Sequence, residues 1–464
     1  FPMLLPFLEF VGNPEQKTLI IYGTLCLVLT YTVKNFFLAF FTWRQANYTF
    51  NLQVRLSQDL FESYLHQPYT FHLQRNSAEL FRNITGEVAM YANGGVSTGI
   101  MLINEIMVIL GIGILLLVVE PIGTIIVVSV LVLAGWSFNY ITKQHIANWG
   151  EARQYHDGLR IQHLQQGLNG VKDVKVLGRE FEFLEQYRIH NTLGARTGVF
   201  LKILQSLPRL WLELLAICGL TILVLIMIVQ GRELGAIMPV LGVFAAAGFR
   251  ILPSIGRLLN SVQTLRFSLP AINALYSEIN SFVPVEKKSN QNNISFNRFL
   301  EFQNVCYTYP GASKPALDDI SLKVKQGVSV GIIGNSGAGK TTFVDILLGL
   351  LTPNNGRVSV DEFNIQGHLR SWQDQIGYVP QSIYLSDDTL RNNVAFGIAK
   401  DNIDEDAVLK AIQAAQLEEH VNSLTNGLNT MIGEHGVRLS GGQRQRIGIA
   451  RALYHNPSIL ILDE

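Results

Sequence analysis

The sequence predicts a two-part protein: an all-α transmembrane bundle followed by a soluble α/β domain. Three observations carry this. Five runs of membrane length, at about 18–43, 99–119, 122–141, 207–229 and 234–259, are apolar. A polar, Asn-rich stretch, Val285 to Asn297 (VEKKSNQNNISFN), separates them from the remainder and reads as a linker over 285–298. After it, strand-like alternation at Phe299–Tyr309 and Ile320–Val324 leads into a loop of small residues.

The composition agrees with a division into a membrane half and a soluble half. The 464 residues are 48% hydrophobic and 16% charged, and the apolar excess lies before about residue 280. Formal net charge is zero, so the overall balance does not point to nucleic acid. Cys26, Cys218 and Cys306 are far apart and have no metal-ligand spacing, so they read as small core fillers without a disulfide framework.

A span needs ~20 apolar residues, and residues 1–11 are too few, so they read as the end of an earlier span. The runs at 99–119 and 122–141 are parted only by Glu120-Pro121, which makes them an antiparallel pair. Between spans lie long polar stretches that keep helical periodicity, around Arg44–Val96 and Lys143–Lys202. These carry most of the Lys and Arg, whereas the short turns at Glu120 and Arg232 carry almost none. Basic loops stay on the cytoplasmic side, which places the long extensions and the soluble domain there.

The soluble half is organised around Gly327–Leu351. Val328–Ile333 reads as a buried parallel strand, Gly334-Asn335-Ser336-Gly337-Ala338-Gly339 as a loop, and Lys340-Thr341-Thr342 as a helix start. Strand, G-x-x-x-x-G-K-T and helix in this order make a phosphate-binding loop, which assigns the domain to the α/β P-loop NTPases. Glycines let backbone N–H groups close around phosphate oxygens, and a helix N-terminus favours their charge. Lys340 would neutralise the outer phosphates, and Thr341 would ligand Mg²⁺. The chain is expected to bind a nucleoside triphosphate.

Further segments follow in one order: Gln381 after Gly377-Tyr378-Val379-Pro380, Leu439-Ser440-Gly441-Gly442-Gln443 before a helix, and Ile459–Leu462 ending in Asp463-Glu464. With these residues the chain resembles the ATP-binding-cassette (ABC) exporters, of the type I/type IV exporter fold. The resemblance implies a half-transporter whose first span and whose segment after Asp463-Glu464, with its dimer-contact loop and switch histidine, lie outside these 464 residues. It further implies that Tyr309 stacks on adenine and that Asp463 and Gln381 help hold Mg²⁺. Glu464 would be the general base, and Lys340 and Gln381 would share in the chemistry. Ser440, Gly441, Gly442 and Gln443 would touch ATP held by a second copy of the chain. The loop Thr430–Gly436, with His435 in it, resembles the exporters' segment that meets the membrane domain.

The compact spacing of the motifs argues against the DNA-repair and chromosome-organising ATPases, which insert long coiled coils. Ile84–Val88 and Gly170–Glu180 are similar to stretches in bacterial lipid-linked-oligosaccharide flippases, implying a bacterial inner-membrane protein that moves a lipid. Peptides and hydrophobic drugs remain alternative cargoes. Lys34, Glu105, Glu213 and Arg250 fall ~15–17 residues down their helices, or ~22–26 Å from the outer turns at 1.5 Å per residue. Two readings stay open for them: internal ion pairs, or a cavity in which Lys34 and Arg250 hold an anionic head group.

Overall fold

The structure, a computed structural model of the chain, describes residues 16–119, 121–229, 231, 234–282 and 294–463. The chain divides into two compact units. One takes the residues up to Gln67 and Arg75–Pro284, the other Pro68–Gln74 and Val285–Glu464.

The described residues of the first unit are almost all helical. Its elements are α1 (Gln16–His66), α3 (Thr98–Val119), α4 (Pro121–Asn169), α5 (Val171–Leu177), α6 (Glu180–Val229) and α7 (Leu234–Ser281). The short α2 (Tyr69–Gln74) belongs to the second unit. A helical path enters α3 from Ser77, where Asn76 caps the first turn by accepting from the Ala78 N–H at 2.9 Å. Along it Asn83–Glu87 and Tyr91–Ser97 are π-helical. Among the described residues five helices are long and apolar enough to cross a membrane, matching the five runs.

Lipid offers no partner for backbone N–H and C=O groups, so a spanning segment closes its hydrogen bonds on itself as a helix. What the apolar runs do not reveal is length. α6 has 50 residues, ~75 Å at 1.5 Å per residue against ~30 Å of hydrocarbon. The polar periodic stretches are thus continuations of the spans. The outward faces are apolar, with Phe36 75% and Val118 82% exposed. Cys26 and Cys218 lie on such faces and are exposed, so neither is a core filler. On a helix that faces lipid, an apolar run does not mean a protein interior.

The extensions are tied by charges at sites closed to water. Glu87, fully buried at the end of the first π-helical stretch, accepts from Arg153 of α4 at 2.8 Å. Arg82 stands 3.6 Å away on the other side of the same carboxylate. Where α4 crosses α7 the backbones nearly touch: a Cβ on Gly150 would lie 2.6 Å from the Phe267 carbonyl oxygen.

In the second unit, β1 (Phe299–Tyr307), β2 (Leu317–Lys325), β3 (Asn355–Val360) and β4 (Phe363–Asn364) form an antiparallel sheet in the order β2-β1-β3-β4. Separately, β5 (Ile376–Val379) and β6 (Ile459–Leu462) pair in parallel. The helix α8 (Lys340–Leu347) packs on the first sheet, with Phe343 stacked on Phe302 at 4.4 Å between ring centres. Trp372, fully buried, donates its ring N–H to the Leu347 carbonyl at 2.7 Å.

Two sequence expectations change here. Val328–Ile333 is not a buried parallel strand: it has no strand partner among the described residues, and Ile333 is 96% exposed. An apolar β-branched run is buried only when neighbouring strands take its hydrogen bonds, and β5 and β6 pair only with each other. The stretch read as linker is described only from Ile294. There Ile294 and Phe296 are buried in the core of this unit, their N–H groups donating to Ser371 Oγ and Gln375 Oε1.

The buried pair gives a test. Glu87→Ala leaves Arg153 charged without its main partner and should cost about 3–5 kcal/mol of stability. The double change Glu87→Leu/Arg153→Met, which removes both charges, should unfold closer to the wild-type temperature. Equal losses in a thermal-unfolding measurement would contradict the pairing.

Candidate ATP-binding site

The loop Gly334–Gly339 joins the extended segment to α8. Gly337 and Gly339 have φ of +82° and +86°, a region that side chains disfavour. At Gly339 the reason is also space, because a Cβ would sit 2.4 Å from the Ala316 carbonyl oxygen. The loop therefore keeps its backbone close to β2. Lys340 folds its ammonium across the loop mouth, donating to the carbonyls of Gly334 at 2.8 Å and Asn335 at 3.1 Å. Such a ring of main-chain groups capped by a lysine fits a polyphosphate.

Several expected site residues gather around it. The Tyr309 hydroxyl lies 3.1 Å from Thr342 Oγ1, and its ring meets Tyr307 edge-on. Asp463 follows β6, and its N–H donates to the Val379 carbonyl at 3.0 Å at the end of β5. Gln381 leaves that same strand end two residues later. Ligands of open α/β sheets bind at the carboxyl ends of such strands. Glu464 lies outside the described residues.

One acidic residue was not legible in the sequence. Asp345, on α8 and buried, has its pKa pushed up to about 6, first by burial and then by the Asp463 carboxylate. Burial, with Asp463 next, also raises the Tyr378 hydroxyl. Its only sequence signal was a carboxylate on the buried face of an amphipathic helix. No group of three His, Cys, Asp or Glu that could hold a metal occurs among the described residues. A cation here would need phosphate oxygens and water beside Thr341 and Asp463. The acidic floor suits one.

Ser440–Gln443 stands apart. Ser440 caps α11 (Gly441–Leu453, with α9 at Glu405–Ala414 and α10 at Glu418–Ser423). Its Oγ accepts from the Gln443 N–H at 3.2 Å while Gln443 Oε1 accepts from the Ser440 N–H at 2.8 Å. Among the described residues no hydrogen bond joins this cap to the phosphate loop. Ile447 of α11 is buried in a second hydrophobic cluster with Leu390 and Val408, away from Phe302 and Trp372. His435 is an exposed loop residue with φ +52°, its ring edge-on to Tyr384.

Within the spans, Arg257 of α7 makes a two-pronged contact with the buried Glu105 of α3, at 2.6 and 3.0 Å. Glu105 is thus one arm of an internal ion pair, whose other arm was not singled out from the sequence. Arg257, Asn260 and Glu213 line a cavity of about 550 Å³ walled by Leu212, Leu252 and Pro253. The Lys34 ammonium lies 4.7 Å from the Tyr31 ring centre, and Arg250 is exposed.

The comparisons with known proteins bear on both units. The family described as "ABC transporter transmembrane region" matches residues 7–231, and "ABC transporter" matches residues 317–464. An ATP-dependent lipid A-core flippase of Dechloromonas aromatica is 30% identical over 421 residues, covering 89% of this chain and 70% of that protein. The chain belongs to the ABC transporters. Another ATP-dependent lipid A-core flippase, from Methylobacillus flagellatus, is 29% identical over 416 residues, 88% of this chain and 69% of its own. A bacterial Atm1-family ABC exporter with ATP bound shares the fold, at a TM-score of 0.79 and 23% identity over 99% of this chain and 82% of its own. This ABC transporter is therefore a multi-pass membrane protein of the exporter half-transporter arrangement, with an ATPase domain that binds ATP and couples its hydrolysis to transport.

The raised Asp345 pKa predicts a pH dependence. A carboxyl with a higher pKa folded than unfolded binds its proton longer in the native state. Stability therefore falls as pH rises from about 4 to about 6, then levels off. In metal-free protein, Asp345→Asn should raise the unfolding temperature above pH 6, a gain of about 1–3 kcal/mol, and leave it unchanged near pH 4. No gain at neutral pH would contradict the crowded carboxylates.

Proposed function

We propose that this chain is one half of a homodimeric exporter that flips an anionic lipid across a bacterial inner membrane, driven by ATP. The observation that carries the cargo class is the guanidinium of Arg257 at the wall of an apolar cavity within the spans. Arg250 stands seven residues earlier on the same helix, two turns away and on the same face. Arg257 is shared with Glu105 and Glu213 also lines the cavity, so the charge offered to an anion comes from Arg250 together with the Arg257 fork. Beside apolar side chains these fit a phosphorylated head group with acyl chains, as the flippase relatives' lipid A-core would supply.

In this reading the amides of Gly334 to Thr341 and the Lys340 ammonium hold the phosphates, and Tyr309 faces the adenine. Mg²⁺, held by Thr341 and Asp463 with Gln381 nearby, would neutralise phosphate charge when bound. Glu464 polarises the attacking water. Ser440 and Gly442 complete the site of the partner chain, so closure of two ATPase domains accompanies binding. The ATPase domains lie in the cytoplasm, where the basic extensions of the spans also lie. Ala78–Tyr91 and Gly170–Glu180 pass the motion to the spans.

Flipping of fluorescent lipids in liposomes tests the cargo. A phosphorylated glycolipid should stimulate ATPase activity where a neutral one does not. Arg257→Lys keeps the charge but loses the planar fork, and should weaken stimulation several-fold, as should Lys34→Ala/Arg250→Ala. Basal ATPase rate is the control for folding. Unchanged stimulation in both variants would return these cations to a structural role.

A further inference from the structure

We infer that His420 is a positioning residue for the Ser440–Gln443 cap, and makes ATP turnover sensitive to acid through that cap. The inference rests on the reading that Ser440 and Gly442 complete the partner's ATP site. The Ser440 N–H is satisfied by Gln443 Oε1 at 2.8 Å, which fixes that side-chain amide with its oxygen toward Ser440. Its NH₂ then points the other way, to His420 Nδ1 of α10 at 3.2 Å. An NH₂ group only donates, so Nδ1 must be the unprotonated nitrogen and the ring proton sits on Nε2. Two helices from different parts of the sequence are thereby joined by one neutral imidazole.

Protonation undoes this arrangement. The charged ring carries N–H on both nitrogens. Nδ1–H would face the Gln443 NH₂, donor against donor, and the buried Nε2–H, which has no hydrogen-bond partner among the described residues in either state, offers no compensation. Turning the Gln443 amide to accept from Nδ1–H would set its NH₂ against the Ser440 N–H and open the cap. Charging His420 therefore costs either its own contact or the cap that orients Ser440. The charged residues nearest in sequence to the His420–Gln443 contact are Glu418 and Glu419 on α10 and Arg444 and Arg446 on α11, while the turn Gly427–Asn429, packed against α10, has none. Arg446 is engaged with the Gln416 carbonyl at 2.9 Å. Among the described residues, the His420 ring's hydrogen bond is to Gln443.

The test is the ATPase rate of the full chain from about pH 5.5 to 8.5, in wild type, His420→Phe and His420→Asn. Phe cannot accept from Gln443. Asn places an acceptor oxygen near the position of Nδ1 and does not titrate. His420→Phe should lower kcat roughly three- to tenfold with little change in KM, the scale of a lost helix cap. His420→Asn should recover most of that loss and show a flatter acid limb than wild type. The inference is overturned if His420→Phe keeps the wild-type rate and pH profile, or if His420→Asn keeps the wild-type acid limb. Should the Phe protein not fold, the Asn profile decides alone. Ser440→Arg, measured alongside, separates the two levels: an undiminished rate there refutes the shared-site reading itself, whatever His420 does.

Discussion

The constraint on which the phosphate loop depends is the approach of Gly339 to the Ala316 carbonyl, where no side chain fits. That contact holds the phosphate loop flat against β2 and starts α8 at Lys340. From that start follow the ammonium over the loop mouth, Thr342 against the Tyr309 hydroxyl, and Phe343 against Phe302. The loop's backbone amides can serve a polyphosphate only while this packing keeps them converged. Loop and strand ends come from separate parts of the sequence, but they answer to one geometric demand.

In the membrane unit the governing constraint is lipid, which forces backbone hydrogen bonds inward and leaves the outward side chains apolar and unpaired. Charges inside are accordingly few and committed. Glu105 is closed off by the Arg257 fork, and Glu87 by Arg153 and Arg82. Pairs of this kind seldom add much net stability, because desolvation offsets attraction. Their effect is to fix which helix faces lie together, and to leave Arg257 aimed along a cavity wall.

What the sequence disclosed divides along the same physical line. The five spans were legible because ~20 consecutive apolar residues match the hydrocarbon thickness and are seldom tolerated in a helix that faces water. The phosphate loop was legible because its glycines are demanded by local backbone geometry. Features made by distant residues were not. Val328–Ile333 has the composition of a buried strand, yet burial depends on pairing that no local pattern encodes. Arg153 lies 66 residues from Glu87 and Arg257 152 from Glu105, so neither pairing has a sequence period. Asp345 could not be distinguished because a single carboxylate on a helix is usually solvated. The helix start at Ser440–Gln443 was readable, but the imidazole that meets Gln443 comes from 23 residues before it.

The central claim is that each ATP site is built from two chains, with Lys340 from one and Ser440 from the other. Mixing chains carrying Lys340→Ala with chains carrying Ser440→Arg tests it most directly. In the mixed dimer one site loses both halves and the other has both intact. The account predicts ATPase activity in the mixture well above that of either variant alone. Activity no higher than theirs, once two affinity tags have confirmed that mixed dimers formed, would contradict it.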